Sequence, residues 1–164
     1  MAADQSFHNL LLVCKALHVR SVQYMIVGGT AVAFYGYYRP STTIDGKQLE
    51  KEDLDIWYNP SYENYFKLLD ALEDLGQDVS RFREEKTPEP LRSFFRYEFD
   101  SFTLDFLPSI IGLDRFSMHY KQREISVVHD IEISIIGLAD LLLSKKKSGR
   151  NKDIGDIEKL NKDQ

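Results

Sequence analysis

The stretch "KEDLDIWYN", residues 51–59, constrains this chain more than any other, because it sets two acids into a run that otherwise reads as a buried strand. Side chains alternate along a strand, so Asp53 and Asp55 share one face while Leu54 and Ile56 share the other. Two carboxylates on one face repel each other unless something positive sits between them. Such a strand asks for a cation on its acidic side.

Composition sets the frame around that strand. A length of 164 residues with 43% hydrophobic and 12% aromatic content supplies one substantial core and is short for two, so one domain spanning residues 1–164 is expected. The net charge of -5 argues against a broad basic surface for duplex DNA and leaves only a local basic patch for RNA or a triphosphate. Cys14, in "LLVCKAL", is the single cysteine and has no partner for an internal disulfide, which fits a reducing compartment. No basic-then-apolar leader and no apolar run of about twenty residues is present, so a cytoplasmic protein with no membrane partner is expected.

Along the chain, element types alternate. Helical spacing of Phe7, Leu10, Leu11, Ala16 and Leu17 predicts a helix over residues 5–19, and "YMIVGG" at 24–29 reads as a short strand ending in glycines. "TAVAFYGY" continues as a helix, "RPSTTIDGKQLEKE" is a loop, and "DLDIWY" is a strand. "YENYFKLLDALEDLG" is an amphipathic helix stopped at Gly76, and the two prolines within residues 84–92 mark an exposed loop. "FFRYEFDSFTLDFLP" supplies two adjacent strands, with Phe99, Phe102, Leu104 and Phe106 as candidates for burial and a third acid, Asp105, in their midst. "IIGLDRFSMHYKQ" is expected to be helical after its glycine, and "REISVVHDIEISII" to form one or two short strands. The remainder forms two helices broken near Gly149. The sum is an α/β (α+β) chain with a mixed β-sheet flanked by helices, and with C-terminal helices.

Gly28 and Gly29 stand where strand turns into helix, a junction that lets backbone N–H groups approach an anion, with Thr30 near the helix start. The glycine patterns of a P-loop and of a dinucleotide-binding fingerprint are both absent. If the strands of Asp53, Asp55 and Asp105 are sheet neighbours, their carboxylates converge on an all-oxygen site suited to Mg²⁺ or Mn²⁺. Bridging carboxylates hold two such ions about 3.5–4 Å apart for in-line displacement at phosphorus. The plain alternative places Asp53 on the surface, pairs Asp55 with a basic side chain and has Asp105 cap a turn before Pro108. Lys145, Lys146, Lys147, Arg150 and Lys152 cluster around a helix end, where they complement either a triphosphate or the helix dipole. His8, His18, His119 and His129 show no metal-ligand spacing, and Tyr37, Tyr38, Trp57 and Tyr58 flank the acids as packing or base-stacking residues.

The order of "VGGTAVAFYGYYR", "DLDIW", "TLDF" and "DLLLSKKKSGRNKDIGDIEKL" resembles the minimal nucleotidyltransferase family of the DNA polymerase beta superfamily, including members related to type IV toxin-antitoxin nucleotidyltransferase toxins. The resemblance runs from about residue 21 to residue 160 and implies a nucleotidyltransferase fold. It implies that Asp53, Asp55 and Asp105 are the catalytic and metal-binding acids, with Mg²⁺ or Mn²⁺ as cofactor. It further implies nucleotide binding by Gly28, Gly29, Thr30, Arg39, Ser41, Thr42, Lys145, Arg150 and Lys152, with Gly149 and Asp153 completing the C-terminal motif. The partners implied are a nucleoside triphosphate, an acceptor hydroxyl on an RNA end, a protein or a small molecule, and a partner protein. A second reading is a catalytically inactive nucleotide-binding or protein-binding member of a toxin-antitoxin-like system. The chain departs from the family pattern where "PSTTIDGKQLEKE" separates Arg39 from Asp53, and Asp45 within that insertion is a competing acid without strand context.

Overall fold

A computed structural model describes residues 2–36, 51–149 and 151–162. Its first half runs α1 (Ala2–Val19), β1 (Tyr24–Val27), α2 (Gly28–Phe34), β2 (Glu52–Tyr58), α3 (Tyr62–Asp74) and α4 (Ser80–Arg83). The second half runs β3 (Phe95–Glu98), β4 (Phe102–Leu107), α5 (Phe116–Tyr120), β5 (Glu124–Val128), β6 (Ile131–Ile135), α6 (Leu138–Ser148) and α7 (Asn151–Lys162). The strands form one six-stranded sheet in the order β3-β4-β2-β1-β6-β5. Pairing is parallel for β1 with β6 and for β2 with β4, and antiparallel for the other three neighbours. This is the mixed, helix-flanked sheet with C-terminal helices expected above.

The alternation of β2 divides the molecule. Leu54, Ile56 and Tyr58 are buried on the side where Tyr65 of α3 meets Phe95, which in turn packs edge-on against Phe106. The opposite face carries Asp53 and Asp55 and ends in Trp57, which is buried edge-on against Phe116 of α5 and donates its indole N–H to the Pro108 carbonyl at 3.2 Å. One face is therefore core throughout, and the other is core at one end and acidic at the other. β1 has no such division, since all four of its residues are buried in a strand flanked on both edges.

Local chemistry sets the bounds of α3. Ser61 caps it by accepting from the Asn64 N–H, and the helix ends with Gly76 at φ +82, whose N–H and that of Gln77 close back on the Glu73 and Leu72 carbonyls. Asn64 itself is buried and ties this helix to the β1 and β2 ends. Its Nδ2 donates to the carbonyls of Gln23 at 3.0 Å and Asn59 at 2.9 Å, and its Oδ1 accepts from the Gln23 N–H at 2.7 Å.

Several elements differ from the sequence expectation. The first strand stops at Val27, because Gly28 already begins the helix. The helix expected after Gly112 shrinks to Phe116–Tyr120, since the preceding residues fold into turns under Trp57. The short helix Ser80–Arg83 lacks the length for a periodic signal. Pro90, expected in an exposed loop, is buried, because the Tyr58 hydroxyl bonds the carbonyls of both Pro90 and Ser93. Of the aromatic positions expected inside, Phe102 and Phe106 are buried, while Phe99 is half-buried and stacks on Phe102 at 4.4 Å. Cys14 is fully buried, and burial pushes its thiol up to about 12. Among the described residues no helix is long and apolar enough to cross a membrane.

Replacing Asn64 by Ala leaves two carbonyls and an N–H without their partner in a buried setting. Urea unfolding of N64A is expected to show a loss of about 3 kcal/mol with an unchanged denaturant slope. A loss below about 0.5 kcal/mol, the usual range for surface substitutions, would remove Asn64 as the clamp.

Candidate active site

The register of the two central parallel strands builds the site. β2 and β4 pair so that Asp55 lies beside Asp105 and Asp53 beside Thr103, and paired residues of a parallel ladder point to the same face. Asp53 is exposed, Asp55 is half-buried, and Asp105 is buried. The three acids, separated by up to fifty-two positions in sequence, thus share one surface.

Arg96 stands among them, and it went unrecognised in the sequence. β3 and β4 pair antiparallel with Arg96 opposite Asp105, and the guanidinium grips that carboxylate with two bonds, Nε to Oδ1 at 2.8 Å and Nη2 to Oδ2 at 2.9 Å. Its pKa is raised, first by the hydrogen bonds to Asp105 and then by that residue's charge, with the charges of Asp53 and Asp55 adding to the effect. The signal was present in "FFRYEFDSFTLDF": folding that segment as a hairpin about Asp100 and Ser101 sets Arg96 across from Asp105.

Gly28 approaches the acids from β1. Its φ of +66 lies in the left-handed region that side chains rarely adopt, and a Cβ there would lie 2.6 Å from Oδ2 of Asp55. Gly28, Gly29 and Thr30 form the first turn of α2, whose N–H groups have no partner within the helix. A cleft of about 400 Å³ opens from this point, with Val27, Gly28 and Asp55 at one end. Leu107, Ile110, Ile111 and Leu141 give it an apolar wall, and Ser144, Lys145, Ser148 and Asp153 line its other side.

In the C-terminal motif Lys145, expected to bind the nucleotide, lines the cleft and also makes buried ion pairs. Lys145 is buried between Asp153 at 2.9 Å and Asp156 at 3.0 Å, and the Ser148 hydroxyl donates to the other oxygen of Asp153 at 2.5 Å. Gly149, in the left-handed conformation, ends α6 and lets α7 fold back so that these groups meet. Lys145 and Asp153 thus fasten two helices while touching the cleft. Lys152 lies in α7. Tyr37, Tyr38, Arg39, Ser41, Thr42, Asp45 and Arg150 lie outside the described residues. His119, set aside in the sequence, packs against Trp57 with its Nδ1 3.0 Å from Asp140 and its Nε2 accepting the Asp114 N–H.

A divalent ion suits part of this arrangement. Mg²⁺ characteristically takes one or two carboxylates and completes its shell with substrate phosphates and water. Asp53 and Asp55 supply such a pair, beside a Gly28 whose missing Cβ leaves room at the Asp55 oxygen. The third acid expected to bind metal, Asp105, is engaged by Arg96 in this structure. Among the described residues no group of three or more His, Cys, Asp or Glu side chains is placed to hold a metal, and Asp105 gives both of its oxygens to Arg96.

Comparison with solved structures places this architecture. A Thermotoga maritima protein assigned as a nucleotidyltransferase superposes with a TM-score of 0.57 at 15% identity, over 100% of this chain and 97% of that one. The lincosamide antibiotic adenylyltransferase LnuA, in its lincomycin-bound structure, gives 0.54 at 20% identity over 90% and 91%. An antigenic nucleotidyltransferase-like protein from Paracoccidioides brasiliensis gives 0.53 at 14% identity over 93% and 73%. No family profile matches the chain, and no curated protein matches it. The chain has the fold of these nucleotidyltransferase-like structures.

Two substitutions probe this construction. Gly28→Ala is expected to cost about 1–2 kcal/mol of stability from its left-handed backbone alone, read by thermal unfolding, and to displace the Asp55 carboxylate in a crystal structure. Lys145→Met leaves two buried aspartates without their shared cation and is expected to destabilise the fold by about 3–5 kcal/mol, read in urea. A K145M protein of native stability would show that the α6–α7 junction does not depend on this cluster.

Proposed function

We propose that this protein is a metal-dependent nucleotidyltransferase that moves a nucleoside monophosphate from a nucleoside triphosphate to an acceptor hydroxyl. The observation that carries the reading is the strand register that brings Asp53, Asp55 and Asp105 onto one face with Gly28 against Asp55. A nucleotidyltransferase-like fold alone supports the class of reaction; the register supports the residues.

In this reading the N–H groups of Gly28, Gly29 and Thr30 bind the β and γ phosphates, with Arg39, Ser41, Thr42, Arg150 and Lys152 as further phosphate contacts. Asp53 and Asp55 hold Mg²⁺ or Mn²⁺, which when bound offsets phosphate charge and favours ionisation of a nearby hydroxyl. Asp105 accepts the proton of the acceptor hydroxyl on a lone pair that Arg96 leaves available, since a carboxylate offers about four acceptor sites. The hydroxyl oxygen bonds to the α-phosphorus, the bond from that phosphorus to the bridging oxygen breaks, and pyrophosphate leaves. Arg96 holds Asp105 in orientation for this step through its two-bond fork. The apolar wall of the cleft and its serines suit an acceptor that pairs a hydrophobic body with hydroxyl groups. The lincosamide bound by LnuA supports a small molecule as the first acceptor class to screen, ahead of an RNA end or a protein hydroxyl.

The test is transfer of label from α-³²P nucleoside triphosphates, with Mg²⁺ or Mn²⁺, to a panel of hydroxylated small molecules, RNAs and proteins. Asp55→Asn is expected to lower turnover by several kcal/mol of barrier, about a hundredfold or more, with native circular dichroism. Full activity in D55N would sink the assignment. Nucleotide binding without labelled product from any acceptor would favour the inactive, binding-only reading, including one with a partner protein.

A further inference from the structure

The sheet ends in two unlike edges. β3, at one end, carries Arg96 and Glu98 along a strand of four residues, charges that discourage pairing with another chain. β5, at the other end, runs Glu124, Ile125, Ser126, Val127, Val128 with no proline, no lysine and no bulge against β6. Ile125 is 46% exposed and Val127 64% exposed. Arg123, the charge next to this edge, is folded back over the Tyr120 ring, its guanidinium carbon 3.7 Å from the centroid and its Nη1 donating to the Tyr120 carbonyl. Among the described residues no strand pairs with the outer side of β5.

The hairpin fixes which backbone groups face that outer side. His129 and Asp130, both with positive φ, make a two-residue turn, so Val128 and Ile131 form the first hydrogen-bonded pair and bonded pairs alternate from there. Ile125 and Val127 fall opposite Ser134 and Glu132, in the pairs without mutual bonds. The Ser134 N–H and the Glu132 carbonyl accordingly turn toward β1 and meet the Tyr24 hydroxyl. By the same alternation the N–H and C=O groups of Ile125 and Val127 point away from β6.

We propose that β5 is a dimerisation edge, on which a second copy of this chain lays its own β5 antiparallel about a two-fold axis at Ser126. In this register position 125 of one chain faces position 127 of the other, outward backbone groups meet outward backbone groups, and the two residues exchange both of their bonds. The alignment gathers the apolar side chains of both copies on one face and sets Glu124 opposite Val128, so no carboxylate faces its own copy. An axis at Ile125 or Val127 keeps the bonding parity but leaves part of the strand unpaired. The match of β5 to its own reverse is what favours a second copy over a strand of another protein. A five-residue edge is small beside the about 1,200–2,000 Å² of stable complexes, so association is expected at about tens of micromolar.

Sedimentation equilibrium of the full chain from about 1 µM to about 1 mM is expected to show the mass rising from one chain to two. Val127→Glu is expected to weaken dimerisation by about tenfold or more with native circular dichroism, and adding Ile125→Lys to restore it, because the register sets the two new charges against each other. Ser126→Cys lies at the axis, in a pair with Cα atoms about 4.5 Å apart, and is expected to form a covalent dimer on mild oxidation. Glu124→Cys, which faces position 128, is expected to stay uncrosslinked, and the buried Cys14 takes no part. The cysteine pair keeps the test decisive even if V127E fails to fold. A chain that stays monomeric over the whole range would overturn the proposal and leave the edge to a strand of another protein. A dimer unaffected by V127E, or E124C cross-linking as readily as S126C, would overturn it by placing the contact elsewhere.

Discussion

Like charges gathered on one face of a sheet need a counter-charge, and here the protein supplies one from its own chain. The Arg96 fork on Asp105 lets a buried carboxylate persist on a central strand next to two further acids. Without it, an anion 8% exposed would face Asp55 on the neighbouring strand with no fixed cation of its own among the described partners. The parallel pairing of β2 and β4 is compatible with this acidic surface because β3 adds Arg96 on the far side of β4.

The rest of the site follows from how each neighbour treats that face. At one end Trp57 and Phe116 close it with apolar packing. At the other, Gly28 brings the start of α2 against Asp55, an approach that any side chain at that position would obstruct. Across the cleft, the C-terminal helices are held by Lys145 between two aspartates, a buried arrangement that gives the cleft a rigid wall. Lys145, the member of the basic motif shown buried, holds α6 to α7.

Period-two alternation made Asp53 and Asp55 legible as a same-face pair, and the hydrophobic run around Asp105 made it legible as a third acid in a strand. Gly76 and Gly149 marked helix ends because the left-handed backbone they adopt disfavours other residues. Arg96 was harder to see, since an arginine alternating with phenylalanines also describes an ordinary exposed strand position. Its meaning depends on which residue the hairpin turn sets opposite it. The buried ion pairs of Lys145 were hidden for a related reason: only the return of α7 brings Asp153 and Asp156 around it.

By itself the sequence determined the local facts, namely the alternation that puts two acids on one side of β2, the glycines where the backbone turns, and the class of mixed sheet with helical flanks. These are properties of a few consecutive residues and the dihedral angles open to them. Only the tertiary structure decided that Asp105 sits beside Asp55, that Arg96 holds it, and that Lys145 is buried. Each of these depends on strand order, register or helix packing, quantities fixed by contacts between segments distant in the chain, whose partners no single stretch specifies.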